Sequence, residues 1–373
     1  MSKNEWDIIV IGGGLAGLIA AQQLAKAGRE VLLIEKKTYP FHRVCGEYIS
    51  NEVRGFLKQE SLFPTDIEPA EITKFRLTSV DGQCAEMALD LGGFGISRYY
   101  LDEFLFQRAM SAGAESLLQT QVESVHFNSQ ENHFEVKVQD GGILYAKYVL
   151  GAFGKRSKID KSLDRDFMKE KSPYIGVKYH VQIDYEPDVV ALHNFEGGYC
   201  GINRIEDGKF NLCYLGSRVQ LRAFGSIPEM EKQVLYKNPH LRKIFEEADF
   251  LFEKPEVINE INFSPKSPVE NHILMLGDAA GLITPLCGNG MAIAIHSGKL
   301  AADAIIQNQN RLAIENVYAK AWAHHFSARL WVGRRVQWLF GSQAVSNFSV
   351  HLMRHSRFLA NKIMENTHGT PII

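Results

Sequence analysis

The tightest constraint on this chain lies at its start. Asp7-Ile8-Ile9-Val10-Ile11 runs straight into Gly12-Gly13-Gly14, and Gly17 follows. A short continuous apolar run is the pattern of a strand buried on both faces of a parallel sheet. The glycines break it, and the spacing then predicts a helix over 15–27, with Leu18, Ala21, Leu24 and Ala25 on one face and Gly28 as the stop. Val31-Leu32-Leu33-Ile34 reads as a second buried strand ending at Glu35. Together these make a βαβ start with Gly12-x-Gly14-x-x-Gly17 at its turn. Such glycines permit a tight turn and let backbone approach a pyrophosphate at a helix N-terminus. Gly12, Gly14, Leu15, Ala16 and Gly17 are therefore the expected dinucleotide-binding finger. The Glu35 carboxylate, with Lys36 beside it, suits a ribose hydroxyl and would repel a 2′-phosphate. The competing reading is a tight structural turn with no ligand.

Composition narrows the classes. With 41 Lys+Arg against 43 Asp+Glu the formal net charge is −2, which gives no electrostatic case for nucleic acid or an anionic membrane. No apolar run approaches the roughly 18 residues of a membrane-spanning helix. Glu5 and Asp7 stand where a signal peptide needs a basic region. The five cysteines are odd in number and scattered, with no C-x-x-C, which points to reduced thiols in a cytoplasmic setting. Only Cys287 lies beyond Cys213, so a four-cysteine iron–sulfur cluster in the C-terminal part is excluded.

Along the chain, residues 74–80 and 84–89 flank Asp81-Gly82, a hairpin signal. Residues 99–112 read as a helix closed by Gly113, and 122–127, 133–138 and 144–150 as strands. Residues 174–215 are β-rich, helices are expected over 229–236 and 241–248, and 273–276 return to a buried strand. Helices fill most of the remainder from Met291. The expectation is an α/β protein. A nucleotide domain (1–73, 90–172 and 256–310) is interrupted by a β-rich substrate domain (74–89 and 173–255), and a helical C-terminal region (311–373) follows.

A second Gly-Asp pair follows the late strand, at Gly277-Asp278-Ala279-Ala280-Gly281. The loop Pro285-Leu286-Cys287-Gly288-Asn289-Gly290-Met291 then leads into a helix. Small residues and N–H groups at a helix start favour partial negative charge, such as the O2/N1 edge of a reduced flavin. Paired with the early finger, this resembles the FAD-dependent oxidoreductases of the p-hydroxybenzoate hydroxylase fold, nearest their geranylgeranyl reductase-like branch. Arg43-Val44-Cys45-Gly46-Glu47 resembles the Cys-Gly segment that the branch places beside the flavin ring, and Arg98-x-x-x-Asp102 resembles an element whose arginine contacts FAD. The resemblance implies a Rossmann-type FAD-binding domain (GR2-like). It implies FAD contacts from Glu35, Lys36, Arg43, Cys45, Gly46, Arg98, Val122, Gly277, Asp278, Gly281, Pro285, Gly288, Asn289, Gly290 and Met291, besides the finger. NAD(P)H is implied as a transient electron donor, with another donor as the alternative.

Two stretches depart from the family pattern. Phe153 stands where an Asp-Gly aspartate is usual, and Tyr199-Cys200-Gly201-Ile202-Asn203-Arg204 keeps only the tyrosine of the prenyl reductases' Tyr-x-Trp-x-Phe-Pro segment. The halogenases' Trp-x-Trp motif is absent from the sequence. The resulting expectation is an FAD-dependent oxidoreductase acting on an apolar or aromatic small molecule. It reduces a C=C bond with Cys45 as proton donor or packing residue; the alternatives are a flavin monooxygenase or a flavin-binding protein without turnover. Between Trp322 and Phe348, Trp331, Trp338, Leu339 and Phe340 mix with Arg329, Arg334 and Arg335. Either a helix touches a membrane peripherally or, as the shortness of the apolar face favours, it packs its aromatics on the core or lids the substrate cavity. His351 and His355 share a helix face but lack a third ligand nearby, so a solvated face is expected there.

Overall fold

The strand Glu5–Ile11 sits inside a parallel sheet, as its apolar run requires, with Ile8, Ile9 and Val10 sealed from solvent. The computed structural model describes residues 3–259, 261–282, 289–336, 342–355 and 369–372. The order across this first sheet is Val269–Glu270, Ile273–Met275, Ile143–Gly151, Glu5–Ile11, Val31–Ile34, Glu115–Leu117. All neighbours except the outermost Val269–Glu270 run parallel. A meander of Val122–Asn128 and His133–Val138 hangs antiparallel from Ile143–Gly151. The finger helix Leu15–Lys26 crosses the late helix Gly290–Gln307 so closely that a Cβ on Gly298 would strike the Ala16 carbonyl. Arg98–Ser111 packs on the finger helix as well, capped by the Ser97 hydroxyl.

The second sheet is nine-stranded and almost wholly antiparallel. Its order is Asp249–Phe250, Tyr174–Gln182, Phe210–Ser217, Gly198–Arg204, Val189–Phe195, Ala70–Thr78, Cys84–Gly95, Tyr48–Ser50, with Glu256–Ile258 also paired to Tyr174–Gln182. Asp81-Gly82 closes the anticipated hairpin, pairing Thr78 with Cys84. A separate core of Ile175, Val177, Val181, Leu212 and Tyr214 lies beneath the helices Ile227–Val234 and Pro239–Glu247. The helix Arg218–Phe224 was not legible from periodicity, because none of its residues is buried. Since Tyr48–Ser50 already belongs to this sheet, residues 35–47 carry the chain from one sheet to the other.

The long helix Arg311–Val336 buries Tyr318, Trp322, Phe326 and Leu330 on the first core, and Tyr318 Oη donates to the Met275 carbonyl at 2.5 Å. The aromatics on that side thus pack on the core; Trp331 and Phe348 do not, and Trp338, Leu339 and Phe340 lie outside the described residues. The helix Gln343–His355 lies on the hairpin, with Val350 packed beside Leu77 and Ala85. Among the described residues no helix is long and apolar enough to cross a membrane.

Candidate active site

The strands Glu5–Ile11, Ile143–Gly151 and Ile273–Met275 end side by side, at the C-terminal edge where open α/β sheets take their ligands. Gly12 has φ +104°, and a Cβ there would lie 2.5 Å from the Ala152 carbonyl oxygen. A Cβ on Gly17 would strike the Gly12 carbonyl, so the helix is pressed onto the turn. Gly14 is different: the nearest atom to its missing Cβ is Arg98 Nη2 at 3.6 Å. Gly14 is the N-cap of the finger helix, no side chain caps it, and the first turn holds no acid. The N–H groups of Leu15, Ala16 and Gly17 therefore open, with the positive helix end, onto a small space faced by a guanidinium. That cradle fits a pyrophosphate.

Behind the finger, the buried Glu35 carboxylate accepts from Gly13 N at 2.9 Å, Lys37 N at 3.1 Å and Arg43 Nη2 at 3.3 Å. The Lys36 side chain is exposed. Thr120 N donates to the Glu35 carbonyl, which brings the approach to Val122 close, although Val122 itself packs into the core. Tyr39 Oη donates to the Gly13 carbonyl at 2.6 Å and its ring stacks on Phe106, so a Cβ on Gly13 would collide with that hydroxyl. Asp102 is sealed from solvent and collects both arginines. Arg98 donates from Nε at 2.6 Å and Nη2 at 2.8 Å, and Arg43 from Nε at 2.8 Å. Two cations are thereby held side by side, and the Cys45 side chain lies close to Arg98.

The loop carrying Cys45 and Gly46 is fixed to the second sheet at many points. Asn211 Nδ2 donates to the Gly46 carbonyl at 2.9 Å, and Asn203 Nδ2 and Ile96 N donate to the Glu47 carbonyl. Glu47 adopts a left-handed φ of +52° and is fully buried. Its carboxylate takes Arg98 N at 2.7 Å, Lys178 Nζ at 2.5 Å and His180 Nε2 at 2.7 Å. Burial alone would raise the Glu47 pKa, but Lys178 and His180 outweigh it and hold the group at about 2. His42 stacks on Tyr99 and meets His180 edge-on; burial, then the Lys178 charge, push it down to about 4, so its ring is neutral at pH 7. Lys178, His180, Asn203 and Asn211 were not among the residues anticipated from sequence. The available signal was Lys178-x-His180, two polar residues on one face of an otherwise apolar strand.

On the late side Gly277 has φ +54° and donates its N–H to Ser297 Oγ at 2.9 Å. Two cations hold this loop from behind. Lys266 Nζ donates to the carbonyls of Asp278 at 2.9 Å and Lys155 at 2.8 Å, and Arg165 Nη1 donates to the Ala279 carbonyl at 3.0 Å. Burial drives the Lys266 pKa down to about 8. Asp278 is half-buried, Gly281 is buried, and Asn289, Gly290 and Met291 open the late helix. Pro285, Cys287 and Gly288 lie outside the described residues. Phe153 is partly buried against the first core, and Tyr199 is buried beside Leu215 and Ile261. Direct contacts thus join Gly13 of the finger to Glu35 and Arg43, and Arg98 to Asp102, with Cys45 close to Arg98. Among the described residues Lys36 and Val122 make no such contact. Among the described residues no group of His, Cys, Asp and Glu is arranged to hold a metal.

A glycine-finger α/β sheet joined to an antiparallel sheet, with an anion cradle at the strand ends, defines a dinucleotide-binding protein. The chain belongs to the FAD binding domain family, whose profile covers residues 5–310. It is similar to the digeranylgeranylglycerophospholipid reductase of Methanosarcina acetivorans, 29% identical over 352 residues, 86% of this chain and 81% of that one. It is also similar to the menaquinone reductase of Mycobacterium tuberculosis, 25% identical over 319 residues, 80% of this chain and 76% of that one. In fold it matches a geranylgeranyl bacteriochlorophyll reductase-like protein of Thermoplasma acidophilum, with TM-score 0.78 at 19% identity over 98% of this chain and 96% of that one. A flavin-dependent brominase matches with TM-score 0.76 at 17% identity over 97% and 93%. The protein is an FAD-dependent oxidoreductase of the geranylgeranyl reductase-like type.

Proposed function

We propose that this oxidoreductase reduces a C=C bond of an apolar small molecule of the prenyl-lipid or prenyl-quinone kind, with NAD(P)H as reductant and Cys45 as proton donor. The names of the two reductase relatives support the substrate class. FAD, when bound, supplies the hydride relay between donor and alkene, so that NAD(P)H becomes NAD(P)⁺ while one alkene carbon gains hydride and the other a proton. The remaining work falls to the chain. Leu15, Ala16 and Gly17 offer N–H groups to the pyrophosphate, with Arg98 opposite. When FAD is bound, Glu35 would hold the adenosine ribose, Asp278 the ribitol, and the Gly290–Met291 amides the pyrimidine edge. Cys45 holds the proton for the second alkene carbon, and its thiol is regenerated from solvent.

The observation that carries this reading is the fixing of the Cys45 loop. Its thiol sits against Arg98, and Glu47 locks the same loop to a buried Lys178–His180 pair on the second sheet. A proton donor has to be held within hydrogen-bond reach of its acceptor, and that requires a rigid mount. The test is anaerobic. The yellow protein is bleached with NADPH or dithionite and mixed with menaquinone or a digeranylgeranyl lipid, without oxygen. The reductase reading expects flavin colour to return and product mass to rise by two hydrogens per reduced bond. Colour that returns only with oxygen, with ¹⁸O in the product, assigns a hydroxylase instead.

A further inference from the structure

Between Glu315 and Glu365 the chain has no acidic residue but seven Lys and Arg, from Lys320 to Lys362, in a protein whose net charge is −2. The whole-chain charge averages this asymmetry away. The long helix Arg311–Val336 has already committed one apolar side to the first core, so a helix bathed only by water would turn a polar side outward. Instead its outer side shows Leu312 at 61% exposure and Trp331 at 52%, with Val317 also exposed and Lys320, His324 and Arg335 among them. The Arg335 guanidinium lies 4.3 Å from the Trp331 ring centroid. The helix Gln343–His355 repeats the arrangement. Ser346 and Val350 face the hairpin, while Ala344, Phe348 at 62% exposure, His351 and Arg354 are exposed. The acids packed against these helices are engaged with protein groups: Glu315 with His272, Glu52 with Arg329 and Asp81 with Asn347.

Exposed Trp and Phe set among basic residues with no acid is the composition of a helix that lies in the headgroup plane. Charge of one sign selects an anionic surface, each nearby Lys or Arg adding to the attraction. We propose that the outer faces of Arg311–Val336 and Gln343–His355 dock this protein on an anionic lipid surface, with Trp331 and Phe348 entering the headgroup layer and Arg335 and Arg354 meeting lipid phosphates. The proposal concerns attachment alone and stands whatever substrate the active site takes.

The full-length flavin-loaded protein is spun with heavy vesicles of phosphatidylglycerol and phosphatidylcholine, or of phosphatidylcholine alone, at low and high salt. Beside it run Trp331→Glu/Phe348→Glu and, as a variant that keeps the apolar groups, Arg335→Gln/Arg354→Gln. Wild type should pellet with the anionic vesicles, stay in solution with the neutral ones and release with salt. The first variant should bind at least about tenfold more weakly at unchanged flavin absorbance, and the second should lose much of the salt dependence. Should the first variant lose its flavin, the second decides by itself. Wild type that ignores anionic vesicles at low salt overturns the proposal, as does equal pelleting of the variants. A dimer in light scattering that Trp331→Glu/Phe348→Glu dissolves assigns the face to a second copy and overturns it too.

Discussion

Glu47 and Lys178 lie 131 residues apart in the chain and meet at 2.5 Å, both sealed from solvent, where the linking loop enters the second sheet. Taking two charges out of water costs more than their mutual attraction returns unless further hydrogen bonds satisfy them. Here His180 and the Arg98 N–H complete the carboxylate. A pair of this kind is weak evidence for stability and good evidence for a fixed register. What it fixes is the loop that bears Cys45.

Removing both partners should cost less than the two single removals added together. Glu47→Gln strands a buried ammonium and is expected to destabilise the fold by about 3–5 kcal/mol. Glu47→Gln/Lys178→Met should fall short of the summed single losses by about 0.5–3 kcal/mol. Urea unfolding of the four proteins measures the cycle. Strictly additive losses would mean that the two groups do not act as a unit.

The finger separates packing room from cofactor room. A Cβ on Gly17 meets the Gly12 carbonyl, so Gly17→Ala must move the helix and should destabilise even flavin-stripped protein by about 1–3 kcal/mol. A Cβ on Gly14 meets only Arg98 Nη2, at 3.6 Å. Gly14→Ala should leave the stripped protein as stable as wild type and yet weaken FAD retention, because the methyl enters the pyrophosphate cradle. Thermal unfolding of stripped protein and flavin titration read the two effects separately. Equal retention by Gly14→Ala would remove the pyrophosphate from that cradle.

These residues also show how far the sequence could be read. The finger, Glu35 and Arg98-x-x-x-Asp102 are local, since strand period, glycine spacing and an i,i+4 pair each lie within a single element. The Glu47 partners were hidden by sequence separation, because no local pattern says which distant strand a loop will meet. Lys178-x-His180 marked that strand as unusual without naming its partner. Tyr39, which makes a glycine necessary at position 13, reaches it only after the chain turns back. The outer face of the long helix was obscured differently. Its buried and exposed apolar residues lie on opposite sides, so the helix shows no single polar stripe.

Glu231 predicts a pH effect of definite sign. Its buried Oε1 accepts from Tyr214 Oη at 2.9 Å and Tyr179 Oη at 3.0 Å. Burial raises its pKa from 4.5 to about 7, the two hydrogen bonds opposing only in part. The folded protein thus binds this proton more tightly than the unfolded chain. The contribution is full below pH 4.5 and is lost as pH rises through about 7. Relative to Glu231→Gln, wild type should lose about 3 kcal/mol across that window. Burial lowers His42, His193 and His296 to about 4, 3 and 3, which tilts the absolute curve the other way below their unfolded pKa of 6.5. The difference between the two proteins, followed by urea unfolding at stepped pH, isolates Glu231. A difference that stays flat would show the carboxyl ionised throughout.

Cys45 separates the two reactions open to a flavin site of this kind. If an alkene is reduced, hydride reaches one carbon and the other needs a proton from a group held beside it. Cys45→Ser keeps the size and a polar group near Arg98 but offers a much weaker acid. Flavin content and the rate of flavin reduction by NAD(P)H should then stay close to wild type, while substrate turnover falls by about 10²–10⁴, the range for losing a general acid. In a hydroxylase no thiol proton is consumed, and the same change should act only through packing. Single-turnover mixing of pre-reduced protein with substrate under nitrogen reads the step directly. Full turnover by Cys45→Ser with ¹⁸O in the product would assign the hydroxylase. Slow turnover that quickens as pH falls would place the missing proton in the step that Cys45 normally serves.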